Sequence, residues 1–171
     1  MEIKLFRGII FMKKIVSVSG FMLTYALEIL DKIKVLQPTY VGYRENGEEF
    51  KIVPKGISLE QTIPKVIELF ESNSENAASA TIIYPAELEN EDGTRESVII
   101  TMAKEYKSND YIMISQPYKF SDNKLEVSEF ELLDYSPFLL ERLPELEASF
   151  AEGALSYDDA EHIWSQRFKA S

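Results

Sequence analysis

The sequence predicts an α+β fold: an antiparallel β-meander with an additional N-terminal hairpin, packed against helices and closed by C-terminal helical segments. Three observations carry this. Apolar positions recur at helical spacing from Phe21 to about Leu36, then alternate with period two beyond Pro38. Asn46-Gly47 separates two alternating runs, and four more β-like runs follow between Ala80 and Tyr135. Helix signals return at Ser136-Pro137. No linker or internal repeat interrupts the chain, so residues 1–171 are expected to form a single α+β domain.

The elements follow in order. Residues 3–6 and 15–18 read as short β-like runs on either side of Gly8. In the helix from Phe21 to Leu36 the polar positions Thr24, Glu28, Asp31 and Lys32 form one narrow stripe. A helix so widely apolar is expected to pack on more than one side, or to associate with a second copy. Segments 39–44 and 49–53 flank Asn46-Gly47, whose residues tolerate the positive φ of a tight hairpin. Tyr40, Tyr43 and Tyr84 are candidates for an exposed, contact-making sheet face.

A second helix is expected from about Thr62, after a short turn at 58–61, with Pro64 in its first turn and the polar run 72–76 ending it. The meander then uses segments 81–84 (bounded by Pro85), 96–102, 111–115 and 125–133. The second and third of these are apolar at successive positions and should be central. In the fourth, Leu125 and Val127 set one phase while Phe130 and Leu132 set the other, which predicts a bulge near Ser128-Glu129. Glu126, Glu129 and Glu131 would then face water along an edge strand protected by charge.

At the C-terminus, Pro137 and Pro144 each start a helical piece, the second closed by Gly153 as a C-cap. A last helix begins at Ser156, with Tyr157, Ala160, Trp164 and Phe168 on its core face. Asp158 and Asp159 lie in its first turn, and Arg167 and Lys169 in its last.

Composition excludes several chemistries. The 171 residues contain no cysteine and one histidine, which removes disulfides, thiolate metal sites, cysteine nucleophiles and multi-histidine metal sites. Seven scattered glycines form no phosphate-binding loop. His162, the only candidate base for a Ser-His-Asp triad, reads as a surface helical residue. Asp158 and Asp159 are adjacent on a helix and diverge, so with Glu161 and His162 they make a poor metal site. The acidic loop 87–93 lacks calcium-loop spacing and reads as a solvated hairpin tip. No catalytic, cofactor-binding or metal-binding residue is expected, and no cofactor.

Charge is more informative. The net charge is −11, so association with nucleic acid or an anionic membrane surface is not expected. Residues 125–161 hold eleven acids and one base, Arg142. The leading expectation is a non-enzymatic acidic binding protein, inhibitor-like, immunity-like or chaperone-like. It would dock a basic protein partner through Glu126, Glu129, Glu131, Glu141, Glu145 and Glu152. The alternatives are a small enzyme or ligand carrier with a pocket between the sheet and the first helix, and a structural subunit that self-associates through the helix from Phe21 to Leu36.

No stretch of about 20 apolar residues free of charge is evident, so a membrane span is not expected. Met12-Lys13-Lys14 followed by a mildly apolar run resembles a weak secretory signal. A cytoplasmic location is therefore expected, with a secreted or periplasmic one if a signal segment begins at Met12.

Overall fold

The computed structural model describes residues 2–165, with side chains from Ile9 onward. The first helix, α1, spans Glu2–Ile33 and overturns the reading of the N-terminus. Runs 3–6 and 15–18 are helical and continuous with the segment that follows. Met12, Ile15, Ser19, Leu23, Ala26 and Leu30 are all buried, at steps of three and four that pass Gly20 without changing phase. The β-branched residues at 15, 16 and 18 favour a strand, but a helical face buried in the core outweighs that preference. The helix stops before Leu36 because Lys34 turns left-handed at φ 62°, its N–H bonding to the Leu30 carbonyl. By length and composition, the unbroken span Ile9–Ile33 is apolar enough to cross a membrane. The sequence reading had divided that span in two. Here it lies across the sheet.

That sheet is built from β1 (Thr39–Tyr43), β2 (Glu49–Ile52), β3 (Ser79–Glu89), β4 (Arg95–Glu105), β5 (Asp110–Ser121), β6 (Lys124–Val127) and β7 (Glu131–Tyr135). All pairings among the described residues are antiparallel, in the order β2-β1-β3-β4-β5-β6, with β7 also on β5. The Asn46-Gly47 hairpin forms as expected, with Gly47 at φ 86°. β3 and β4 pair along their full length, from Ser79↔Glu105 to Glu89↔Arg95. Pro85 therefore does not bound β3. It lies beyond Ile83, the last β3 residue paired with β1, where a missing N–H costs nothing on the open side.

Alternation along the strands creates two cores. Val41, Ile83, Ile99 and Ile114 face α1, and Tyr40, Ile82, Val98 and Ile100 face the other way. Helix α2 (Leu59–Ser72) covers part of the second face with Val66 and Phe70. It begins three residues earlier than expected, so Pro64 lies inside it rather than in its first turn. The Ser58 carbonyl accepts from the Gln61 and Thr62 N–H groups, which nucleates the helix upstream of the proline. Tyr40 and Tyr84 are buried, not exposed contact residues. Burial pushes the Tyr40 phenol up to about 12, because its ionised form would lack solvent.

The expected fourth meander strand is divided. β6 pairs with Phe120 and its neighbours, β7 pairs with the 112–115 stretch of β5, and residues 128–130 connect them. The phase change is thus made by a three-residue connection. The register of the β5–β7 ladder shifts between Met113 and Ile114, where the partners are Asp134 and Leu132 and Leu133 of β7 is the extra residue. Leu125 and Val127 are buried, and Phe130 and Leu132 pack against the same core.

A 3-10 segment, Pro137–Arg142, leads into α3 (Leu143–Leu155). Ser136 makes no side-chain cap; its hydroxyl accepts the Tyr111 N–H, tying the segment to β5. Gly153 is not a C-cap. It lies inside α3, where a Cβ would stand 1.8 Å from the Ser17 carbonyl oxygen. Across the same contact, a Cβ on Gly20 would stand 2.0 Å from the Phe150 carbonyl oxygen. The two glycines let the helix backbones touch, and α1 is held between sheet and α3. On the sheet side, the Ser19 and Thr81 hydroxyls are 2.6 Å apart. On the α3 side, Thr24 donates to the Ala154 carbonyl at 2.7 Å.

Helix α4 spans Ala160–Trp164, with Asp159 at its N-cap position. The expected start at Ser156 fails because Ser156 terminates α3, its N–H bonding back to Glu152 and Gly153. Ala160 and Ile163 are buried, while Tyr157 and Trp164 are half-buried. Phe168, Arg167 and Lys169 lie outside the described residues.

Candidate functional site

The site is a cleft of about 340 Å3 lined by Ser128, Glu129, Phe130, Glu147, Ala151, Ala154, Leu155 and Trp164. Three elements meet there. The first wall is the 128–130 connection, held by Gln116. That side chain is fully buried on β5, and its amide donates to the Ser128 carbonyl at 2.7 Å and the Pro117 carbonyl at 2.9 Å. Phe130 turns inward, edge-on to Phe150 at 4.8 Å, which leaves Glu129 on the outside.

The second wall is α3. Residues 147, 151, 154 and 155 fall at i, i+4, i+7 and i+8, one stripe of a helix. The close approach through Gly153 sets that stripe's height above α1. Trp164 of α4 closes the end, its indole N–H donating to Thr24 at 3.1 Å. The lining is therefore largely apolar and aromatic, with two carboxylates in it. Among the described residues neither the Glu129 nor the Glu147 carboxylate has an ion-pair or hydrogen-bond partner, and no base lines the cleft.

The six expected partner-binding residues are distributed as follows. Glu129 is in the cleft, and Glu131 is exposed beside it at the start of β7. Glu141 is exposed in the 3-10 segment and Glu152 on α3. Glu126 is only partly exposed and lies 3.5 Å from Lys119. Glu145 lies 3.0 Å from Arg142. Such exposed pairs contribute little to stability, but they locally neutralise two of the six charges. Glu147 was missed. Its spacing from Ala151 and Ala154 was a usable signal, hidden because α3 was expected to stop at Gly153.

Chemically, this arrangement suits binding. His162 is exposed on α4, 4.0 Å from Asp31, and does not line the cleft. Among the described residues no three His, Asp or Glu side chains converge as a metal-ligand set. The space between sheet and α1 is filled by side chains such as Leu23, Leu27, Ile83 and Ile99. At the 87–93 tip, Asp92 accepts from the Thr94 N–H and hydroxyl, which hold its carboxyl below the ordinary range.

A polar clasp ties the α3–α4 turn to α1. The Tyr157 hydroxyl and the Lys32 ammonium both donate to Glu28, and the Tyr157 ring sits edge-on to Phe21 at 5.3 Å. The Lys32 hydrogen bond, then that of Tyr157, holds the Glu28 carboxyl below the usual range. The Tyr157 phenol is pushed up to about 12, chiefly by Glu28. The depressed carboxyl adds stability that is present above its unfolded value and lost as pH falls through its folded value. The raised phenol adds stability that is present below its unfolded value and lost as pH rises through about 12. Tyr157→Phe should therefore lose less stability than wild type on acidification from about pH 5 to about pH 3. Melting temperature against pH measures this; parallel curves for the two proteins would show that Tyr157 does not hold the Glu28 carboxylate.

No protein-family model, curated protein or solved structure matches the chain.

Proposed function

We propose that this protein is a non-enzymatic acidic binding protein that docks a basic protein partner through its C-terminal third. One observation carries the reading: carboxylates from 125–161 reach solvent on β7, the 3-10 segment and α3, and two of them crown an apolar cleft. A surface that is negative at its rim and apolar at its centre combines steering with desolvated contact area.

The experiment is affinity capture with the wild-type chain and with Glu131→Lys, Glu141→Lys and Glu152→Lys combined. These three are exposed, so reversal should leave the melting temperature nearly unchanged. Basic proteins retained by the wild type and lost from the variant are expected. Identical sets from both chains, or none from either, would make the acidic surface a solubilising one only.

A further inference from the structure

We infer that the cleft between the 128–130 connection, α3 and α4 receives a single arginine side chain of the partner. This rests on the proposed docking of a basic protein and adds the residue type that enters. At about 340 Å3 the cleft is at the small end of the range for ligand sites, of a size for one long side chain. Its walls offer Phe130, Ala151, Ala154 and the Trp164 ring to an aliphatic stem.

Glu129 and Glu147 come from different elements and line the same cleft, without partners among the described residues. Two carboxylates on separate walls of an aromatic-lined cleft suit a planar guanidinium, which presents donors along several edges and also stacks on aromatic rings. A lysine ammonium is a compact point charge and would use this geometry less well.

Trp164 is the only tryptophan in the chain and lines the cleft, so its fluorescence reports occupancy directly. The probes are a capped Gly-Ala-Arg-Ala-Gly peptide and the same peptide with citrulline, or with lysine, replacing arginine. A saturable fluorescence change with the arginine peptide is expected. Citrulline should weaken it at least about tenfold, because a charge-assisted hydrogen bond contributes more than that ratio requires. Glu129→Gln with Glu147→Gln should weaken arginine binding by a similar factor.

Absence of a saturable change with the arginine peptide would overturn the inference. So would a citrulline or lysine peptide binding as tightly, or a folded double variant binding as wild type does. The citrulline comparison uses only the wild-type chain and decides the matter whatever the variants do. If the peptide fails while basic proteins are still lost on reversing Glu131, Glu141 and Glu152, the cleft assignment falls and the acidic-surface reading remains.

Discussion

Gly153→Ala is expected to lower stability by about 3 kcal/mol, although helix propensity alone predicts a gain of about 1 kcal/mol from that change. The sign reverses because the new methyl would stand 1.8 Å from the Ser17 carbonyl oxygen, a backbone atom that cannot rotate away. α3 would have to lift off α1, stretching the Thr24–Ala154 hydrogen bond and unpacking the fully buried Phe150. Gly20→Ala attacks the same contact from the other helix, so the two effects should not add. For a domain of this size the expected loss corresponds to roughly 6–12 °C in melting temperature. Thermal or urea unfolding measures it, and an unchanged or raised melting point would mean that the helices are not in backbone contact.

The same glycines show what was legible in the sequence. Strand positions were readable wherever a local signal set them: Asn46-Gly47 for the first hairpin, and successive apolar residues for the central β4 and β5. The phase reversal between Val127 and Phe130 suggested a bulge near Ser128-Glu129 within one strand. Instead the chain leaves the ladder at 128–130, β6 and β7 divide one neighbour between them, and the extra residue of the β5–β7 ladder is Leu133. The errors arose where a local preference opposed a distant contact. β-branched residues at 15, 16 and 18 suggested a strand, and Gly153 suggested a helix end. In both places the packing of α1 against α3 outweighs the local signal. Ser156 was misread for a related reason: its hydroxyl donates back to the Gly153 carbonyl and so closes α3 instead of opening the next helix.

The candidate site was legible as charge and not as shape. The excess of acids over residues 125–161 is a property of the sequence, and Glu129 was identified from strand phase. Glu147 and the cleft depend on α3 continuing through Gly153 and on Gln116 pinning the Ser128 carbonyl. No pattern in the sequence announces that a buried glutamine on β5 will hold the 128–130 connection.

Association kinetics test most directly the proposed steering of a basic protein onto the cleft by the acidic surface. A partner captured by the wild-type chain should associate rapidly at low ionic strength, since steering can raise on-rates by ~10–1,000-fold. As salt rises from about 0.01 M to about 1 M, the Debye length falls from ~30 Å to ~3 Å, and the rate should fall steeply with it. Reversing Glu131, Glu141 and Glu152 to lysine should make association slow even at low salt and remove most of its salt dependence, with the fold unchanged. Equal rates for the two chains, with no dependence on ionic strength in either, would contradict the account.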